Sequence, residues 1–187
     1  MKFAVSIIMF LINSVTNVVG VNVNTVKKVN SFRYLGSTAP IKDFDPLNIL
    51  KNKSDNRIKY TREAELQHGR VAKLATVTIL GSEMLNPDNT ELGINYLKDM
   101  DLSMQLPFWV LVAAYESKRM KNGWVNPFST KTTFQLKKDY QPGNVLNVDV
   151  DGLSDRVFNS ELNNGRLAMI SFVGIVAQEL ASQKPIF

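Results

Sequence analysis

Two copies of one charged octapeptide, each heading an apolar segment, constrain this chain more than any other feature. The first reads Glu65-Leu66-Gln67-His68-Gly69-Arg70-Val71-Ala72 and the second Glu161-Leu162-Asn163-Asn164-Gly165-Arg166-Leu167-Ala168. Aligned on their glutamates, the copies share Glu, Leu, Gly, Arg and Ala, and Val77/Val173, Ile79/Ile175 and Glu83/Glu179 continue the match. On a helix, Glu65 and His68 share a face, whereas Glu65 and Arg70 diverge by about 140°. Each glutamate is thus badly placed for its own arginine. Two copies remove the difficulty, because Glu65 can pair with Arg166 and Glu161 with Arg70 across crossed helices with approximate two-fold symmetry. Gly69, Ala72, Gly165 and Ala168 would let the backbones approach at that crossing.

The motifs sit on long helical segments. The first helix begins near Ser54 or Asp55, both good N-caps, and runs to Met84 or Leu85, where Asn86-Pro87 stops it. A second apolar segment spans Leu102 to Tyr115, with Pro107 tolerable only near its first turn. The third starts near Leu153 or Ser154 and stays apolar from Leu167 to Leu180. None is a clean run of eighteen uncharged residues, and mean hydropathy is -0.09, so hydropathy alone would miss all three as membrane spans. Charge placement argues the other way. Lys51, Lys53, Arg57, Lys59 and Arg62 precede the first segment, and Lys118, Arg119, Lys121, Lys131, Lys137 and Lys138 separate the second from the third. The loop between the first two carries Asp88, Glu91, Asp99 and Asp101 against Lys98 alone. Basic and acidic connections alternate, as three crossings under the positive-inside rule require, with Trp109 and Trp124 near the ends of the second crossing. A soluble helical bundle showing the same alternation is the other reading.

Within 187 residues, Met1 to about Asn30 reads as a bipartite targeting presequence: Lys2 and an apolar core from Phe3 to Ile12, then a hydroxylated, basic stretch without acids. An uncleaved membrane anchor is the alternative. Residues 31–187 then form one domain. The chain has no cysteine and one histidine, which excludes thiolate zinc sites, cysteine nucleophiles and multi-histidine clusters. Its net charge of +5 is scattered, without an aromatic-interleaved basic face, so nucleic acid is not an expected partner.

Buried charge in hydrocarbon is costly unless neutralised, and crossed pairing explains how it is tolerated. Why it is present is a separate question. His68, Asn164, Gln178 and the glutamates offer single nitrogen or oxygen donors spaced along helices. A metal already held by a macrocycle needs only one axial donor, so isolated ligands suit magnesium tetrapyrroles better than a bare ion. Taken singly, His68 and Asn164 could equally be ordinary polar residues at a helix crossing.

The two motifs, the second extended by Met169, resemble the first and third membrane helices of the light-harvesting chlorophyll-binding protein family (the chlorophyll a/b-binding superfamily). The resemblance runs from about Asp43 onward and includes Phe44-Asp45-Pro46-Leu47 and Tyr140-Gln141-Pro142-Gly143, which look like the family's extended stretches before those helices. It implies an all-α membrane protein with three transmembrane helices, the first and third crossed as a pseudo-two-fold pair. Glu65 and Glu161 would each ligate a chlorophyll magnesium through one oxygen, neutralised by Arg166 and Arg70. His68, Asn164 and Gln178 would be direct axial ligands, and Glu116 falls where the family often has another, with a solvated helix-end glutamate as the alternative. Chlorophyll a, chlorophyll c and carotenoids of fucoxanthin or other xanthophyll type are the implied cofactors.

Three departures from the pattern of the resembled family stand out: Lys73 where methionine is usual, Gln105 at an unexpected spacing from Glu116, and an end soon after Gln178 without the terminal amphipathic helix and histidine of plant antennae. The last two, with the bipartite presequence, make it most like the algal fucoxanthin chlorophyll a/c antennae. The implied function is a non-enzymatic light-harvesting antenna in the plastid thylakoid membrane, contacting thylakoid lipids, neighbouring antenna subunits and a photosystem core. Photoprotective or stress-related chlorophyll binding is one alternative, with Asp88, Glu91, Asp99 and Asp101 as candidate lumen-facing acids. A pigment-free helical interaction protein is another.

Overall fold

The computed structural model describes residues 36, 38, 45–50, 53–85, 92–126, 135–148 and 153–186. The presequence, Asn86-Pro87, Asp88, Glu91, Phe44, Lys51 and Lys131 lie outside them, as does the side chain of Asp99. Four helices follow in order: α1 (Asp55–Leu85), a 3-10 turn (Gly93–Asn95) leading into the short α2 (Tyr96–Asp99), α3 (Leu102–Gly123) and α4 (Asp155–Ser182). The fold is mostly helical. Its one described β-bridge joins Trp124 to Leu136 beyond α3.

Sequence and boundary agree closely for α1 and α4. Ser54 starts α1 by accepting from the Arg57 and Ile58 amides through its carbonyl, at 2.9 and 3.1 Å. At 31 residues, α1 extends about 46 Å. Ser154 is the N-cap of α4, and Gln183, in the left-handed region at φ 53°, closes it by donating its amide to the Glu179 carbonyl at 2.8 Å. In α3 the register differs from expectation. Pro107 is the sixth helical residue rather than a first-turn one, so one intrahelical bond is missing there. Trp109 lies two turns inside the helix, where its indole N–H donates to Gln105 Oε1 at 3.3 Å.

α1 and α4 pack directly on one another, and the approach is closest where the motifs predicted it. A Cβ built on Gly69 would lie 2.8 Å from the Gly165 Cα, a distance no real side chain tolerates. The seam continues through buried Ala72 and Ile79 of α1 and Leu162 and Ile175 of α4. Burying each isoleucine contributes about 1.5–3 kcal/mol. Among the described residues, nothing covers the outward faces. Val71, Leu74 and Val77 of α1, Leu167, Ile170 and Val173 of α4, and an almost continuous row from Leu102 to Val112 on α3 remain exposed. Among the described residues, no helix is long and apolar enough to cross a membrane by hydropathy. In α1 and α4 the interruptions are the motif charges together with Lys73, Glu83 and Glu179, and in α3 they are Glu116, Lys118, Arg119 and Lys121.

Candidate functional site

The crossing brings both motif glutamates to the arginine of the other helix. Arg70 donates to Glu161 Oε1 through Nε at 2.8 Å, with its Nη2 at 2.7 Å from the same oxygen. Reciprocally, Arg166 Nε donates to Glu65 Oε1 at 2.7 Å. The four side chains retain 25–38% exposure, so these pairs are open on their outer sides. In water such pairs contribute little; in apolar surroundings each charge would be costly without its partner.

The two-fold relation extends past the motifs. At one end Arg166 Nη1 donates to the Gly36 carbonyl at 2.9 Å, while Gly143, ahead of α4, packs on Leu66 and Arg70. Both glycines need positive φ, +109° and +85°, and a Cβ at either would strike a neighbouring side chain at 2.8 Å. At the other end the amide of Ile94, after α1, donates to Glu179 of α4 at 3.0 Å, and that of Ile186, after α4, donates to Glu83 of α1 at 2.9 Å. The Glu83 and Glu179 carboxyls meet over Gly93, whose Cβ would lie 2.6 and 3.2 Å from their Oε1 atoms.

Donor chemistry tests whether these residues suit single axial coordination. His68 is exposed, and its Nδ1 lies 2.6 Å from the Ala64 carbonyl, which can only accept. That bond fixes the proton on Nδ1 and leaves Nε2 as a lone-pair donor. Asn164 is exposed and donates through Nδ2 to Ser160 Oγ at 3.3 Å, leaving its carbonyl oxygen as the coordinating atom. Gln178 is exposed on α4. Glu161 takes both Arg70 contacts on Oε1, and Glu116 likewise takes both Arg119 contacts, at 2.8 and 2.6 Å, on Oε2. Each therefore keeps one carboxylate oxygen available. These five residues fit the one-donor requirement. Glu65 is different: Arg166 holds Oε1, and Arg62 Nη1 holds Oε2 at 2.6 Å. Among the described residues no cluster of three or more His, Cys, Asp or Glu side chains could hold a bare metal ion.

Two of the marked departures also find places. Lys73 reaches across the crossing and donates to the Glu161 carbonyl at 3.3 Å, a third link between α1 and α4. Gln105 is used locally, donating to the Met100 carbonyl at 2.7 Å and accepting from Trp109.

Sequence reasoning missed Glu63. Its carboxylate is 1% exposed and accepts from the Gly143 amide at 2.7 Å and from Tyr140 Oη, Gln67 Nε2 and Arg119 Nη1 at 3.3 Å each. Tyr115 of α3 continues the network, accepting from Arg70 at 3.1 Å and donating to Gln67 at 3.2 Å. Glu63 thus ties α1 to α3 and to the segment before α4. Burial, with the Glu63 carboxylate beside it, pushes the Tyr140 phenol well above its ordinary value, so it remains a donor. The stretch Tyr140-Gln141-Pro142-Gly143, singled out for its family likeness, supplies two of these partners, whereas nothing in the sequence around Glu63 marks it out.

Comparison with known proteins adds an independent line. The sequence model of the Chlorophyll A-B binding protein family matches residues 32–180. The light-harvesting complex stress-related protein 1 of Chlamydomonas reinhardtii is 37% identical over 170 residues, covering 81% of this chain and 66% of that protein. Its relative 3.2 from the same alga is also 37% identical, over 81% of this chain and 64% of its own length. A fucoxanthin-chlorophyll a-c binding protein of Isochrysis galbana is 34% identical over 75% of this chain and 73% of its own. The chain spans just under two thirds of the length of the two Chlamydomonas proteins.

Proposed function

The chain belongs to the Chlorophyll A-B binding protein family, and on that premise we propose that it is a light-harvesting antenna of the plastid thylakoid membrane. In this reading α1, α3 and α4 cross the membrane, and residues 1–30 direct the chain to the plastid. One observation carries the proposal. The crossed helices neutralise their charges on each other, while His68 Nε2, the Asn164 carbonyl and one oxygen of Glu161 are left as single donors among exposed apolar side chains.

Bound chlorophylls and carotenoids would supply light absorption and excitation transfer. The residues do the rest. Glu161, His68, Asn164 and Gln178 would hold magnesium one atom each, with Glu116 as a further ligand, and Glu65 would do so through the oxygen that Arg62 holds in this structure. Arg70 and Arg166 neutralise and orient the two motif carboxylates. The crossing fixes the distance between the donors, and the apolar rows on α1, α3 and α4 exclude water from pigment faces. Pigments and thylakoid lipids cover the surface the chain leaves bare, which answers the low hydropathy of the helices. The name of the Isochrysis relative supports chlorophyll a with chlorophyll c and a fucoxanthin-type carotenoid. A photosystem core and neighbouring antenna subunits would be the partners that receive the excitation. No covalent chemistry is assigned to the chain.

Photoprotection is the second reading, favoured because the Chlamydomonas relatives, at 37% identity, are stress-related proteins. Measuring the chlorophyll fluorescence lifetime of the pigmented protein in detergent from neutral to acidic pH separates the two. A harvesting antenna keeps a long lifetime throughout; a dissipating protein shortens it on acidification.

A further inference from the structure

The two copies of the motif are chemically unequal, and the difference comes from the position three residues ahead of each glutamate: Arg62 in the first copy, Phe158 in the second. Arg62 donates to Glu65 Oε2 at 2.6 Å while Arg166 holds Oε1 at 2.7 Å, so one carboxylate lies between two guanidinium groups. At Glu161 both contacts fall on Oε1, and Oε2 accepts from no described residue. Arg62 is not a loose surface side chain. It is 20% exposed and lies under Gly36, where a Cβ would come within 2.8 Å of its Nη1 and 3.2 Å of its Nη2.

We propose that Arg62 gates the first copy: Glu65 presents an oxygen to a chlorophyll magnesium only when Arg62 has left Oε2, so the Glu161 copy loads before the Glu65 copy. This rests on the reading of the motif glutamates as magnesium ligands. A guanidinium within hydrogen-bond reach of an oxygen repels a second cation approaching that oxygen and blocks its path. Phe158 carries no charge to repel a cation from Glu161. Arg62 is therefore a positioning residue that acts through Glu65 and sets the order of filling.

The test exchanges the two side chains. The unpigmented chain in detergent micelles is titrated with chlorophyll a at a fixed amount of xanthophyll, and bound chlorophyll per chain is measured after separation from free pigment. Far-UV circular dichroism confirms helix content. Arg62→Phe should lower the half-saturating chlorophyll for one site about fivefold, the size expected for loss of one part-exposed ion pair. In a Glu65→Gln background the same change should do nothing. Phe158→Arg should raise half-saturation for the Glu161 site by a similar factor, which keeps the test decisive where Arg62→Phe fails to fold. An unchanged or higher half-saturation in Arg62→Phe overturns the gate. Where Glu65→Gln loses one chlorophyll but Arg62→Phe changes nothing, the gate falls alone; where Glu65→Gln loses none, the ligand reading falls and the gate with it.

Discussion

Arg70→Leu, Glu161→Leu and the double variant form a cycle whose size the crossing determines. Two unit charges about 4 Å apart attract by about 4 kcal/mol at an effective dielectric constant near 20. Arg70 and Glu161 are 28% and 33% exposed, and solvent screening reduces the coupling to about 2 kcal/mol. Removing one partner leaves the other charge orphaned in partly buried surroundings, at a cost of about 3 kcal/mol. Arg70 also donates to Tyr115 at 3.1 Å, which adds about 1 kcal/mol to its removal. Arg70→Leu should thus cost about 4 kcal/mol and Glu161→Leu about 3 kcal/mol, while the double variant should cost about 5 kcal/mol rather than their sum. Denaturant unfolding of the detergent-solubilised protein, followed by helix circular dichroism, measures all three. Costs that add to within about 0.5 kcal/mol would refute the cross-helix pair as an energetic unit.

Further expectations follow from single sites. Gly69→Ala gains up to about 1 kcal/mol of helix propensity but forces a Cβ to 2.8 Å from the Gly165 backbone, and the clash, about 2–3 kcal/mol, should win as a lower midpoint in the same unfolding assay. Gly81→Ala, whose added Cβ would meet no side chain or neighbouring element of the described residues within 4 Å, should be neutral or stabilising. His68→Leu should lose one chlorophyll per chain by pigment extraction and leave helix content unchanged, because among the described residues the His68 ring bonds only the carbonyl of its own helix turn. Tyr140 has a folded-state pKa above its unfolded value near 10, so its contribution is fully present below about pH 10 and is lost as pH rises toward the folded value. Tyr140→Phe should remove that part of the alkaline destabilisation, measured as unfolding midpoint against pH.

The crossing was legible because charge is informative where it recurs. Glu65 and Glu161 are each misplaced for the arginine of their own motif copy, and only a reciprocal pairing gives Arg70 and Arg166 each a motif glutamate. The ends of α1 and α4 were legible from Ser54, Ser154 and the apolar periods between them. What stayed hidden lies outside the repeat. Arg62 and Phe158 are not matched residues, so aligning the copies draws no attention to them, although their mismatch is what makes Glu65 and Glu161 differ. Glu63 takes partners from α3 and from the segment before α4, contacts at long sequence separation that no helical period encodes. Lys73 stood out as a foreign residue, but its link to the Glu161 carbonyl depends on the separation that Gly69 and Gly165 allow. The apolar run of α3 showed a helix, yet Trp109 sits inside it rather than at its end.

Pigment content tests the account most directly. The chain is purified from its native membrane or reconstituted with a total plastid pigment extract, and the bound fraction is extracted and its absorption spectrum recorded. The account predicts chlorophyll a and carotenoid bound in fixed ratio to the folded chain. A folded monomer that is stable without detergent and carries no pigment would contradict it.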